Sequence, residues 1–391
     1  MSNASIHPFP ARMAPELAEG FLDRLADHST VLDPMMGSGS FPLAAARRGH
    51  RAIGSDTDPL AVLIAQTAAS HFDTGELLDY ARKIVSEFTV GDYQEHVLGK
   101  LTGEFINFWF DSETRDKLAG LVSGIKKARP ELRPALWSAF SRLIITKDNG
   151  ASKARDVSHS RPHRVRETAS FDVVEKFLPS VSTVARRLEA QRSPGGGHPA
   201  GESHGSFTPL RSDGRRIPLA PGTVDAVMTS PPYLVAIDYL RGHRMSLVWM
   251  GYDIEYLREL RGTNIGSCRG GAAESEVQRV QELATSGVLA TKDVRLVNRY
   301  VSDMWGVIAE ISRVLKAGGG ATFVIADARL KGASISVEKI VTELCSLEGL
   351  GISSRACREI PANRRYLPPP RSSGKGLDLR MREEVILGFT N

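Results

Sequence analysis

Residues 31–40 read Val-Leu-Asp-Pro-Met-Met-Gly-Ser-Gly-Ser, and this stretch decides the fold. The apolar residues before Asp33 predict a short buried strand that ends at this carboxylate. Gly37 and Gly39 allow a tight turn into a helix that begins near residue 41. The pair alone is a weak signal for a nucleotide site, because Pro42 replaces the third glycine of a full dinucleotide fingerprint.

The next strand strengthens this interpretation. Residues 50–55 predict a second strand that ends at Asp56. In a doubly wound sheet, an acid at the end of the second strand is positioned to accept hydrogen bonds from ribose hydroxyls. This order of elements therefore predicts an α/β sheet with a nucleoside site: a strand, a glycine turn, a helix, a second strand and an acid. A purely structural βαβ unit is the alternative.

A second motif, Thr-Ser-Pro-Pro-Tyr at residues 229–233, follows an apolar run over 224–228 that predicts another buried strand. Two consecutive prolines remove two backbone donors and fix φ, so the chain leaves the sheet in a stiff turn. The turn offers a hydroxyl, carbonyls and an aromatic ring, which suit a flat molecule that carries an amino group. Its residues Ser230, Pro231, Pro232 and Tyr233 are the candidate catalytic residues. A surface turn with a packed tyrosine is the alternative for this motif alone.

Together these motifs resemble the DNA amino methyltransferases that use S-adenosyl-L-methionine. The glycine turn is similar to the family's methionine-binding loop, and the double-proline turn is similar to its catalytic motif. Residues 7–15 resemble the N-terminal cofactor motif, and residues 212–219 resemble the loop whose aspartate faces the adenine amine. The resemblance implies that the cofactor is S-adenosyl-L-methionine, held by His7, Phe9, Asp33, Pro34, Gly37, Gly39, Asp56 and Asp213. Residues 314–320, 364–370 and 381–387 continue the family's motif order.

The resemblance implies direct methyl transfer to the exocyclic amine of a flipped base, with Ser230 and the Pro231 carbonyl accepting the amine hydrogens and Tyr233 stacking on the ring. Serine at the first motif position is similar to the cytosine-N4 subset, and Asp or Asn is commoner among adenine enzymes. We therefore expect N4-methylation of cytosine, with adenine-N6 as the alternative. Methylation of a ring carbon needs a thiol, usually after a proline, and none of the three cysteines follows a proline. No metal is expected.

The chain organisation follows from composition. We expect a Rossmann-like α/β methyltransferase sheet with helices on both faces, and a mostly helical insertion. Residues 1–72 form the N-terminal cofactor-binding part. Residues 73–205 form a helical, basic insertion that ends in a glycine- and proline-rich mobile loop. Residues 206–391 form the catalytic part, with an irregular inserted segment at about 262–291.

Charge points to a polyanionic partner. The net charge is only +5, but residues 126–166 hold eleven Lys or Arg against three acids, and residues 355–382 hold eight against two. Such clusters match phosphates, although a solvated helix face is the alternative. The basic stretch over 153–166 is predicted to be a loop that orders on DNA. His243 and Arg244, after the catalytic turn, are further candidates for DNA contact.

The expected partner is duplex DNA, and a restriction endonuclease is a candidate second partner. Both 126–166 and 262–291 are candidates for reading the DNA sequence. The three cysteines match no disulfide set or zinc site, and no signal peptide or membrane span is found, so a cytoplasmic location is expected. Two other functions stay open: an RNA or protein amino methyltransferase, and a catalytically idle nucleic-acid binder.

Overall fold

The computed structural model describes residues 5–9, 13–96, 99–192, 205–234, 238–265, 275–330, 332–360 and 383–391. The first half of the chain forms α1 (Pro15–Leu22), β1 (Thr30–Asp33), α2 (Ser40–Arg47), β2 (Arg51–Asp56), α3 (Pro59–Ala69), α4 (Thr74–Ser86), α5 (Gly99–Trp109), α6 (Ser112–Lys126), α7 (Arg133–Ile144), β3 (Ala154–Arg155), β4 (His163–Arg164) and α8 (Val173–Arg192). The second half forms β5 (Ser206–Arg211), β6 (Val224–Thr229), α9 (Leu240–Leu247), α10 (Ile254–Thr263), α11 (Ser275–Ala284), β7 (Thr285–Gly287), α12 (Thr291–Val314), β8 (Leu315–Ile325), β9 (Ala328–Leu330), β10 (Ala333–Ile335), α13 (Val337–Leu347), β11 (Gly351–Glu359) and β12 (Glu383–Thr390).

Seven strands form the central sheet in the order β11-β12-β8-β6-β1-β2-β5. Strands β5, β2, β1, β6 and β8 are parallel, whereas β12 is antiparallel to both of its neighbours. The three strands predicted before Asp33, over 50–55 and over 224–228 are β1, β2 and β6, and the expected α/β fold class is confirmed. The chain passes from β1 to β2 on one side and later returns to β6 on the other. Ligands bind at such a switch point, beside the carboxyl ends of the strands.

Helices cover both faces of the sheet. Leu32 and Val227 point into a core built with α12 and α13, whereas their neighbours Val31 and Ala226 point into a core built with α1 and α2. Because alternate residues of the same strands are buried on opposite faces, these central strands read as continuous apolar runs. Burial on both sides fixes the positions of the strand ends that carry the predicted motifs.

The helical insertion between β2 and β5 packs on the segment that follows the double-proline turn. One continuous core contains apolar residues of α3, of α4 to α8, and of α9 and α10. The hydroxyl of Ser160, between β3 and β4, donates to the Tyr239 carbonyl at 3.1 Å, just before α9 begins. The backbone of Gly242 lies close to the Val157 carbonyl, where a Cβ would come within 2.5 Å. The insertion is therefore fixed beside the proposed active site.

Two local predictions are wrong. The stretch predicted to be a loop that orders on DNA contains the antiparallel pair β3–β4. The Lys153 N–H just before β3 donates to the Trp109 carbonyl at the end of α5, at 2.8 Å. The segment predicted as irregular contains α11, since Val277, Val280 and Ala284 recur at helical spacing and are buried beside α12 and α13. Residues 193–204 of the predicted mobile loop lie outside the described residues. So do residues 364–370, which resemble a later motif of the family.

Candidate active site

The glycine turn and the double-proline turn meet at one edge of the sheet. β1 and β6 are parallel neighbours, with Val31 opposite Ala226 and Leu32 opposite Val227. The two carboxyl ends therefore lie side by side. The Thr229 hydroxyl donates a hydrogen bond to Oδ1 of Asp33 at 2.8 Å. The two motifs thus form one continuous surface.

Asp33 is buried at the base of this surface, with 3% of its area exposed. The Met35 N–H also donates to its Oδ1, at 3.1 Å. Burial raises the pKa of Asp33 to about 7, the nearby Asp56 adds to this effect, and the hydrogen bonds from Thr229 and Met35 oppose it. This carboxyl group therefore exchanges its proton near neutral pH, and its position suits a structural support for both turns.

The turn over 34–39 needs its glycines. Gly37 has φ of 53° and Gly39 has φ of 76°, which is the left-handed region that side chains disfavour. A Cβ at Gly39 would also lie 2.8 Å from the Phe207 ring. The Met36 N–H donates to the Ser55 carbonyl at 2.9 Å, and the Ser55 hydroxyl donates to the Pro34 carbonyl at 3.2 Å. These bonds hold the turn against the end of β2.

Asp56 lies at the end of β2 and faces this turn. Its Oδ2 accepts the Gly37 N–H at 2.9 Å, and its Oδ1 accepts the Asp58 N–H at 2.9 Å. Burial and the neighbouring Asp58 raise the pKa of Asp56 to about 6, against the effect of these two hydrogen bonds. Each carboxylate oxygen still has one lone pair free for a ligand. This arrangement suits acceptance of two ribose hydroxyls.

Asp213 follows β5 and belongs to the same edge, because a Cβ at the adjacent Gly214 would lie 3.0 Å from the Pro34 carbonyl. Arg215 binds both oxygens of Asp213, with its Nε 2.9 Å from Oδ1 and its Nη2 2.6 Å from Oδ2. Burial raises the pKa of Asp213, but the Arg215 bonds outweigh it and hold the pKa below its usual range. Asp213 therefore stays ionised, and Oδ2 keeps a lone pair for an amine.

The double-proline turn holds its tyrosine through a residue that sequence reasoning missed. Pro231 is buried, whereas Ser230, Pro232 and Tyr233 are partly exposed. The Tyr233 hydroxyl donates to Oε1 of Glu384, on β12, at 3.1 Å. Burial, followed by the Glu384 carboxylate, raises the pKa of Tyr233, so the phenol stays protonated. The ring is thereby fixed at the mouth of the turn.

The two cofactor-binding candidates near the N-terminus, Phe9 and His7, lie in different parts of the structure. Phe9 stacks on Tyr239 with ring centroids 5.8 Å apart, and it lies 5.3 Å from the ring of His243. Nδ1 of His243 lies 2.5 Å from Oδ2 of Asp58, two residues beyond Asp56. Phe9 therefore packs at the border of the site. His243 is 1% exposed, which contradicts the expectation that this residue contacts DNA.

His7 lies in the core of the helical insertion. It is fully buried, and its Nε2 lies 2.9 Å from the Ser141 hydroxyl on α7. Burial, followed by the charges of His243, Arg142 and Arg187, lowers the pKa of His7, so its ring is neutral at pH 7. No contact among the described residues brings His7 to the glycine turn, and its cofactor role stays a prediction.

The chain is similar to type II methyltransferases. It is 23% identical to M.MvaI of Kocuria varians over 98% of this chain and 90% of the relative. It is 22% identical to M.BsoBI of Geobacillus stearothermophilus over 88% of this chain and 78% of the relative. No protein-family model matches the sequence.

A SAM-dependent methyltransferase from Methanosarcina mazei aligns over 97% of this chain and 99% of its own, with 9% identity and a TM-score of 0.34. Within the described part of the chain, no helix combines the length and the apolar character needed to cross a membrane.

Proposed function

We propose that this chain transfers a methyl group from S-adenosyl-L-methionine to the N4 amine of a flipped cytosine in duplex DNA. The Thr229–Asp33 hydrogen bond carries the proposal, because it joins the nucleoside side of the site to the double-proline turn. The relatives M.MvaI and M.BsoBI, named as type II methyltransferases, support the reaction class.

The residues present fit the cofactor. Ribose hydroxyls need acceptors, and the adenine amine needs one more. Asp56 and Asp213, at the carboxyl ends of neighbouring strands β2 and β5, supply them. The left-handed turn at Gly37 and Gly39 is the proposed contact for the methionine part. When bound, the cofactor supplies an electrophilic methyl group on a positive sulfonium.

The double-proline turn prepares the amine. The lone pair of a cytosine amine is delocalised into the ring, so the nitrogen is a poor nucleophile. The Ser230 hydroxyl and the Pro231 carbonyl accept its two N–H bonds, which favours rehybridisation and directs the lone pair. Tyr233 stacks on the base after it leaves the duplex. The new N–C bond forms as the C–S bond breaks, and the methylated amine releases a proton to water.

Positioning supplies much of the rate. Holding the two reactants in line is worth effective molarities on the order of 10⁵ M or more. The rigid support from Asp33, Thr229 and the two prolines serves this purpose. The sulfonium loses its charge during transfer, so the reaction needs no oxyanion hole.

DNA recognition is proposed for the basic insertion, residues 73–205, which packs beside the turn. A partner restriction endonuclease is proposed from the similarity to type II methyltransferases.

The product identifies the reaction. DNA from cells that express the chain is digested to nucleosides and examined by mass spectrometry, with N4-methylcytosine as the expected product. Methyladenine alone would overturn the choice of base. Label from methyl-tritiated cofactor that enters tRNA or protein, and not duplex DNA, would overturn the choice of substrate.

Two serine variants test the mechanism, one at the double-proline turn and one far from it as the matched control. Ser230→Ala is expected to lower the transfer rate by about a hundredfold or more, since it removes an acceptor needed in the transition state. Ser206→Ala, at the start of β5 and thus at the opposite edge of the sheet, is expected to keep full activity. Full activity of Ser230→Ala would contradict the mechanism.

A further inference from the structure

Four arginines converge on the surface next to the catalytic turn. Arg241 and Arg244 lie on α9, and Arg258 and Arg261 lie on α10. Partial burial, together with the charges of Arg261, Arg258 and Arg241, lowers the pKa of Arg244 to about 10, and Asp238 opposes this shift. All four guanidinium groups are therefore close enough to interact, and we name this set the arginine cluster.

The acids near the cluster leave most of it unpaired, since Glu255 and Glu259 of α10 are exposed and form no ion pair with it in the described chain. Nε of Arg261 lies 2.5 Å from Oδ2 of Asp238, and this is the only ion pair with an acid that the cluster forms within the described chain. Arg241 and Arg258 are exposed and form no ion pair there. Like charges held this close repel each other, so the folded chain maintains an unfavourable arrangement that an anion would relieve.

Arg244 shows where the anion would bind. Its guanidinium lies over the Phe105 ring of α5, with 5.2 Å from Cζ to the ring centroid. Its Nε is buried and has no hydrogen-bond partner in the described chain. A buried charged donor without a partner is costly unless a ligand completes it. The ring thus fixes one face of the guanidinium and leaves its edge for an acceptor.

The cluster borders the proposed site. α9 is anchored to the ribose side through the 2.5 Å contact between His243 and Asp58. α10 is anchored to the adenine side, because the Thr263 carbonyl accepts Nη2 of Arg215 at 2.8 Å. Both helices therefore lie at the carboxyl edge of the sheet, where the base would enter.

The distribution of charge selects the anion. Four cations on two helices match several phosphates spaced along a strand better than one carboxylate or one free phosphate. A flipped nucleotide brings its own and the adjoining phosphates to the mouth of the pocket. We propose that the arginine cluster binds the DNA backbone phosphates that flank the flipped base. This inference rests on the proposed function and adds the surface by which the strand is held.

The test measures binding of a labelled mixed-sequence duplex of about 30 base pairs by fluorescence anisotropy, between about 50 and about 200 mM salt. The wild type is compared with the double variant Arg241→Gln/Arg258→Gln, which changes only exposed side chains. Each phosphate contact adds about 0.9 to the slope of log affinity against log salt. Over this range the wild type is therefore expected to lose about tenfold more affinity than the variant.

The matched control is Arg24→Gln. Arg24 is exposed and lies just before β1 begins, at the opposite edge of the sheet. This variant is expected to keep the wild-type salt slope. A double variant with the wild-type slope, or an equal reduction in Arg24→Gln, would overturn the proposal. So would a selective loss of cofactor binding in the double variant, measured by calorimetry, because the cluster would then serve the cofactor.

Failure of the proposed function gives a different result. In that case the wild type itself transfers no methyl group to DNA, whatever the behaviour of the variants. A wild type that methylates DNA, with a double variant whose salt slope is unchanged, would reject the arginine cluster alone.

Discussion

Thr229 and Asp33 are 196 positions apart in sequence, and the hydroxyl of the first donates to the carboxylate of the second at 2.8 Å. The bond requires β1 and β6 to be neighbours with their carboxyl ends level. It links the residue that begins the double-proline turn to the residue that begins the glycine turn. A methyl donor on one turn and a base on the other would therefore be held by a common support.

Removing the hydrogen bond between Thr229 and Asp33 should lower the stability of the folded chain. Thr229→Val keeps the shape of the side chain but removes the donor, so the buried Asp33 carboxyl keeps only the Met35 N–H. We expect the free energy of unfolding, from urea denaturation, to fall by about 1–3 kcal/mol. Thr229→Ser keeps the donor and should lose less. Equal losses in the two variants would show that the hydrogen bond does not matter and that the methyl packing does.

Asp33 should also make stability depend on pH. Its folded pKa of about 7 lies above the ordinary aspartate value of 3.8, so the folded state binds the proton more tightly than the unfolded state. This contribution is fully present below about pH 4 and is lost as pH rises through about 7. The total loss is at most about 4 kcal/mol, since one pKa unit corresponds to about 1.4 kcal/mol.

Asp33→Asn removes this titration while keeping the size of the side chain. The stability of the wild type relative to Asp33→Asn, measured without cofactor, should therefore decrease from pH 5 to pH 8. A difference that stays constant over this range would show that Asp33 does not titrate there.

Asp56 should give cofactor binding its own pH dependence. Its pKa of about 6 means that the carboxylate, which is the acceptor form, is lost as pH falls below 6. Affinity for S-adenosyl-L-methionine, measured by equilibrium dialysis, should then fall by up to about tenfold per pH unit below that value. Asp56→Asn should bind weakly with a flat profile. Asp27→Asn, an exposed change in the loop before β1, should keep the wild-type profile.

The sheet could be predicted because its signals are local. β1 and β6 are short, mostly apolar runs that end at a turn residue, and the Gly37–Gly39 turn allows few other conformations. The helix α11 was missed because its short apolar stripe follows a glycine-rich stretch, and only contact with α12 and α13 explains its burial. Such tertiary contacts override local composition.

The site could be predicted only in part. The residues of both turns follow from motifs, but Glu384 lies on β12, which joins the sheet in antiparallel orientation far along the chain. No local pattern pairs that residue with Tyr233. Arg215 was missed for a similar reason, since its role depends on Asp213 and on Asp303 of α12, 2.5 Å from its Nη1. The position of His7, buried against α7, depends on how the helical insertion packs, and no local pattern shows this.

The hydrogen bond from Tyr233 to Glu384 yields a last prediction. In the proposed mechanism Glu384 acts through the tyrosine, since its carboxylate holds the hydroxyl of the ring that would stack on the base. Glu384→Ala frees the phenol, whereas Glu384→Gln keeps an acceptor. We expect Glu384→Ala to lower kcat/KM for DNA by about tenfold to a hundredfold, the value of a hydrogen bond to a charged group. Glu384→Gln should recover most of this loss.

Three measurements separate this positioning role from general damage to the fold. Cofactor affinity should be unchanged in Glu384→Ala, because Glu384 has no contact with the glycine turn among the described residues. The fluorescence rise of 2-aminopurine at the target position, which reports base flipping, should be smaller. The double variant Tyr233→Phe/Glu384→Ala should be no worse than Tyr233→Phe, since both changes remove the same bond. Additive losses would mean that Glu384 acts independently of the tyrosine.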